Sequence, residues 1–125
     1  MSTPVGPYSP ALRAGEWLVC SGQLGIHQGD DGPELVEGGF DAQARQALVN
    51  VGALLAGRGL GWANVVKTTV FLADMADYAA FNAVYLGALG QHRPARSVVG
   101  VAALPMGALV EVEAWAYAGE AFSPG

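Results

Sequence analysis

The sequence predicts an α+β domain in the order β-β-α-β-α-β-β, one sheet with two helices packed on one face. Three observations lead there. Residues 41–58 and 77–89 repeat apolar side chains at helical spacing. Five short apolar runs, bounded by Gly, Pro, Asn or Asp, surround those windows. The 125-residue chain is 52% hydrophobic and 14% charged, against about 25% charged in typical soluble domains. One small domain has little interior for that surplus, so one sheet face is expected to be apolar, open and in contact with other copies of the chain.

Ala11–Arg13 and Glu16–Gln23 read as a first strand pair, with Ala14–Gly15 in the turn. The polar stretch Gly25–Gly39 reads as a surface loop or short hairpin. Asp41–Arg58 is the clearest helix. Its Ala44, Ala47, Leu48, Val51, Leu54 and Leu55 form one stripe, Asp41 favours the N-terminal dipole and Gly59 supplies a left-handed stop. Asn64–Ala73 reads as a strand with Val66, Thr68, Val70 and Leu72 on one face and Val65, Lys67, Thr69 and Phe71 on the other. Asp77–Leu89 is a second helix, capped by Asp77, with Tyr78, Phe81, Tyr85 and Leu89 on its stripe. Pro94 ends helical character. Ser97–Val101 and Leu109–Ala118 are two more strands, joined by a turn around Pro105–Gly107. No linker or repeat divides the chain, so residues 1–125 read as a single domain.

Several functions are disfavoured at this level. No apolar run approaches the ~20 residues of a membrane span, and Met1–Pro7 lacks the basic and apolar regions of a secretory signal. Cys20 is the single cysteine, which fits a reducing, cytoplasmic setting. The net charge is −5, and the six basic residues, Lys67 being the one lysine, are scattered along the chain, so no nucleic-acid partner is expected. No metal is expected, because His27 and His92 lack ligands at suitable spacing; His27 reads as a loop residue. Cys20, inside an apolar strand, reads as structural.

Three segments could carry chemistry. Gly6-Pro7-Tyr8-Ser9-Pro10 sets an aromatic ring in a rigid turn, or is an ordinary N-terminal turn. Pro94-Ala95-Arg96-Ser97 puts a guanidinium at the mouth of a strand, where it could grip a carboxylate with two parallel hydrogen bonds or simply be solvated. Val110-Glu111-Val112-Glu113-Ala114 places two acids on one face of an apolar strand, either a solvent-facing edge or a buried face where an acid must be paired or used.

These segments occur in order together with Ser21-Gly22-Gln23, Ala42-Gln43-Ala44-Arg45-Gln46, Val66-Lys67-Thr68-Thr69-Val70-Phe71-Leu72, Met75-Ala76-Asp77-Tyr78, Asn82 and Leu104-Pro105. From about Gly6 to Ala118 the chain resembles the RidA/YjgF/YER057c family of reactive-intermediate deaminases, formerly called the endoribonuclease L-PSP family. The resemblance implies a chorismate-mutase-like fold and a homotrimer with a central barrel and active sites in the clefts between subunits. It also implies cofactor-free hydrolysis of 2-imino acids and their 2-enamine tautomers to 2-keto acids and ammonia. Arg96, Glu111 and Tyr8 match the positions that would act on substrate, and Ser21, Gly22, Asn82 and Val98 match supporting positions, Gly22 and Val98 through their main chain. Val98 stands where several imine-deaminating members have Cys, Ala103 where many have a basic residue, and the segment before Pro94 is short. Two other readings share the pocket: a regulatory trimer that binds keto or imino acids without turnover, and a specialised catabolic hydrolase. RNA cleavage, the older label, conflicts with the charge balance.

Overall fold

The computed structural model describes residues 6–120; the reading made over Met1–Val5 lies outside them. Seven strands and two helices form in order: β1 (Ala11–Ala14), β2 (Trp17–Leu24), β3 (Ile26–Gly29), β4 (Gly32–Leu35), α1 (Gly39–Ala56), β5 (Val65–Leu72), α2 (Tyr78–Leu89), β6 (Ala95–Gly100) and β7 (Val110–Tyr117). The main sheet has the strand order β1-β2-β7-β5-β6, and β3 and β4 pair separately. The expected succession of main-sheet elements along the chain, β-β-α-β-α-β-β, holds, and the polar stretch forms a hairpin. There His27 lies on β3 and faces Glu34 of β4 at 3.3 Å, so it is a strand residue and not a loop residue.

The α1 stripe packs as its spacing requires: Ala44, Ala47, Leu48, Val51, Leu54 and Leu55 are all buried against the sheet with Val70, Val112 and Ala114. Two polar residues are buried beside them. Asn50 donates from Nδ2 to the carbonyls of Leu24 and Ile26 at 3.0 and 2.9 Å. Gln43 accepts the Leu109 N–H at 2.9 Å. These side chains satisfy main-chain groups where the sheet gives way to the hairpin and where β7 begins, groups that would otherwise be buried without partners.

The face assignment on β5 needs one correction. Thr68, Val70 and Leu72 are buried as expected, but it is Val65 that is fully buried, while Val66 is only partly so. The pairing Val65↔Ala116 is followed by Lys67↔Trp115, so a bulge at Val66 moves the alternation by one residue. The cap of the second helix also differs. Asp77 makes no capping bond; Asp74 accepts the Ala76 N–H at 2.9 Å and caps a 3-10 turn that leads into α2. Tyr78, placed on the apolar stripe by its spacing, is exposed, because it lies at the first turn of α2 beyond the sheet.

β5, α2 and β6 form a β-α-β unit, with β6 parallel to β5. The chain then crosses to insert β7 between β2 and β5, so β6 and β7 are not neighbours and β6 is an edge. β7 is central, which removes the edge-strand alternative for its two acids. As the alternation requires, Val110, Val112 and Ala114 are buried beneath α1 while Glu111 and Glu113 lie on the opposite face. That second face carries no helix. Leu12 and Trp115 remain 64% and 45% exposed on it, which is where the surplus of apolar residues goes.

Candidate functional site

The residues nominated from sequence fall into two groups. The first is built around a bulge in β2. Cys20 pairs with Ala114 and Gln23 with Val112, so Ser21 and Gly22 together oppose one residue of β7. The Ser21 N–H donates to the Pro10 carbonyl at 2.8 Å and its hydroxyl donates to the Ser9 carbonyl at 2.6 Å. These bonds tie the segment carrying Tyr8 to the strand. Gly22 lies directly against Glu111: a Cβ at this position would overlap the Glu111 carboxylate. Any larger residue here would force the Glu111 side chain to move.

Glu111 is half-buried, and burial followed by the neighbouring charge of Glu113 pushes its carboxyl above the usual range. Cys20 sits one residue before the bulge and is buried; burial raises its thiol to about 11, so it is not a thiolate nucleophile.

The second group lies between α2 and β6. Arg96 pairs with Thr68 and Val98 with Val70, so both side chains are on the helix-covered face. The Arg96 guanidinium lies 4.9 Å from the ring centre of Tyr85 and 5.7 Å from that of Tyr78, and donates from Nη2 to the Tyr78 hydroxyl at 3.2 Å. The Tyr85 hydroxyl is 2.8 Å from Thr68 Oγ1, which fixes its ring. Burial raises the Tyr85 phenol, an effect opposed by the Thr68 hydrogen bond and by Arg96 and Arg93, so it remains neutral at ordinary pH. Among the described residues, no carboxylate pairs with Arg96.

Arg96, Asn82, Tyr85, Leu86, Arg93 and Pro94 line a cleft of about 320 Å³. Asn82 is one of these lining residues, and its Oδ1 is buried without a hydrogen-bond partner. A larger hollow of about 490 Å³ lies between the helices, lined by Leu48, Val49, Trp62 and Val84 with Arg45. None of the nominated residues lines it, so its size does not make it the site. Among the described residues, no group of three or more His, Cys, Asp or Glu could hold a metal ion.

The sequence reading set Arg96 and Glu111 in one cleft; within the chain, Arg96 and Asn82 share a cleft, whereas Gly22 lies against Glu111 and Ser21 is tied to the Ser9 and Pro10 carbonyls beside Tyr8. The chain does not bring the two groups to each other. Arg96 is on the helix face of edge strand β6, and Glu111 is on the bare face of β7, two strands away. Three contributors to the Arg96 cleft were missed as site residues: Tyr78 and Tyr85 read as core stripe and Arg93 as scattered charge. Their signal was the choice of Tyr over Phe at stripe positions, with two arginines flanking Pro94-Ala95.

The sheet topology is that of a chorismate-mutase-like fold, with a cationic cleft at its parallel edge and an acid on its bare face. The Endoribonuclease L-PSP family model matches residues 1–118, and the chain belongs to that family, the RidA/YjgF family. It is 46% identical to a RutC family protein of Synechocystis, over 88% of this chain and 85% of that one. It is 44% identical to the 2-iminobutanoate/2-iminopropanoate deaminase of Mus musculus, over 92% of this chain and 84% of that one. The crystal structure of RidA from a Psychrobacter species superposes with a TM-score of 0.86 at 41% identity, covering 93% of this chain and 92% of that one.

Proposed function

We propose that this chain hydrolyses 2-imino acids and their 2-enamine tautomers, without a cofactor. The reaction is R–C(=NH)–COO⁻ + H₂O → R–C(=O)–COO⁻ + NH₃. The observation that carries the reading is Arg96: a guanidinium held between two tyrosine rings, without an acidic partner among the described residues, at a small cleft.

In this mechanism Arg96 binds the substrate carboxylate through two parallel N–H donors and so fixes the adjacent C=N carbon. Glu111 takes a proton from the attacking water and returns one to the departing nitrogen. Its raised pKa suits both roles near neutral pH better than an ordinary carboxylate would. Tyr8 packs on the substrate. The main-chain N–H groups at Gly22 and Val98 meet developing charge, and Ser21 and Asn82 support the two halves. Because Arg96 and Glu111 lie on opposite faces of one sheet, the reading places each site between two copies, within a homotrimer whose bare sheet faces turn inward. The partner molecule is a small 2-imino or 2-keto acid. No helix is long and apolar enough to cross a membrane, and the reading puts the reaction in the cytoplasm.

The test is an oxidase that generates imines, with semicarbazide trapping of what the protein fails to consume. Wild type is expected to suppress trapping. Arg96→Ala is expected to lose about 2–5 kcal/mol of transition-state stabilisation, the scale for removing one partner of a buried charge pair. An Arg96→Ala protein as fast as wild type would overturn the carboxylate clamp.

A further inference from the structure

The cleft that holds Arg96 contains a second guanidinium that the proposed reaction does not use. Arg93 lines the same 320 Å³ space, and no acidic residue lines it. In a chain of net charge −5, two of six basic residues converge on one small cleft. Arg93 is not loose on the surface. Its Nη1 donates to the carbonyls of Gly90 and His92 at 2.5 and 3.0 Å, which anchors the head group at the C-terminal end of α2. Both guanidiniums act on the Tyr85 hydroxyl, an independent sign that their fields overlap inside the cleft. Nη1 is committed to the main chain, while Nη2 and Nε remain available as donors to a ligand. Asn82, whose Oδ1 has no hydrogen-bond partner, lines the same cleft.

We infer that Arg93 determines specificity, selecting 2-imino acids that carry a second carboxylate at the end of the side chain. Arg96 takes the carboxylate next to the imine carbon and Arg93 takes the distal one. Two cations facing one cleft stabilise a dianion more than a monoanion, and each adds a charge-assisted hydrogen bond. The chemistry is unchanged: a 2-imino dicarboxylate and water give the 2-keto dicarboxylate and ammonia. The inference rests on the proposed reading of Arg96 as a carboxylate clamp and adds the substrate class.

The test measures binding by calorimetry of two product analogues, 2-oxoglutarate and 2-oxobutanoate, to the intact protein, with trapping assays on the corresponding imines. Wild type is expected to favour the dicarboxylate by about tenfold, the scale of one charge-assisted hydrogen bond. Arg93→Gln is expected to collapse that ratio to near one, and Arg93→Lys to keep part of it. If Arg93→Gln does not fold, because the Gly90 and His92 carbonyls lose their donor, the ratio in Arg93→Lys decides: a ratio equal to wild type overturns the inference, and a reduced one supports it. Equal affinities in wild type, or a preference that survives Arg93→Gln, also overturn it. An Arg96→Ala protein that binds both ligands like wild type would instead sink the clamp. Loss of both ligands in Arg96→Ala, with the ratio intact in Arg93→Gln, would sink only the role of Arg93.

Discussion

Glu111 is a carboxylate that the fold pushes towards its protonated form, by burial first and by the charge of Glu113 second. The proposed reaction needs it ionised to take a proton from water. The kcat/KM profile should therefore fall with acid through a midpoint above the ordinary glutamate value of about 4.3. Glu113→Gln should move that midpoint down, because the repulsion is gone, and Glu111→Gln should abolish both the limb and the turnover. The same shift has a stability sign. Below the ordinary glutamate pKa both folded and unfolded chains are protonated at this site and the wild-type residue carries no penalty. Above the raised folded pKa the fold holds an ionised, half-buried acid, and the penalty is complete. Glu111→Gln should therefore raise the denaturation midpoint at pH 8 more than at pH 4; an equal effect at both would show that burial is not what shifts the group. The pair of acids on one face was legible from strand alternation alone. The raised pKa was not, because it depends on Gly22 letting the carboxylate lie against β2, a contact fixed by a bulge that no local pattern announces. Arg93 left only a faint trace in the sequence, an arginine on each side of Pro94-Ala95, because it is the turn between α2 and β6 that brings both into one cleft.

At the scale of elements, periodicity was informative wherever a face was uniformly apolar. The six-residue stripe of α1 is buried as its spacing required. Periodicity failed where polar side chains hold the elements together. Asn50 sits within the α1 stripe region as an apparent interruption, yet it is buried and bridges two carbonyls on either side of Gly25, where β2 turns into the hairpin. A Cβ at Gly25 would overlap the backbone of Gln43, so the helix and the strand approach too closely there for water to serve the same groups. Asn50→Ala should leave both carbonyls without donors and destabilise the fold by about 2–4 kcal/mol, read from the urea midpoint at unchanged m-value. A change below about 0.5 kcal/mol, the range of an ordinary surface substitution, would mean that water replaces the side chain. The bulge at Val66 exchanged the buried and half-buried residues at the start of β5 for an equally local reason. One extra residue reverses an alternation that Val65 and Val66, both valines, cannot report.

At the scale of the whole molecule, two features support the proposal of a partner of the same sequence. The bare sheet face leaves Leu12 and Trp115 exposed beside the Trp17–Trp115 ring contact at 6.0 Å, and β6 is an edge strand with Val99 42% exposed. On the proposed reading the site is divided, because Arg96 and Glu111 lie on opposite faces of the sheet, two strands apart. A ring of copies that sets the β6 edge of one against the bare face of the next would satisfy the exposed surface and the divided chemistry together. This arrangement predicts complementation. Arg96→Ala and Glu111→Gln proteins, each inactive alone, should regain activity when unfolded together and refolded as mixed trimers. In a random equal mixture about one quarter of the sites combine an intact Arg96 from one copy with an intact Glu111 from its neighbour, so recovered turnover should approach about one quarter of wild type. If both groups act from a single chain, every site in the mixture lacks one of them and nothing returns. Sedimentation of the mixed sample separates the outcomes further: mixed trimers without activity would deny the shared site, whereas a protein that remains monomeric at micromolar concentration would deny the shared surface as well.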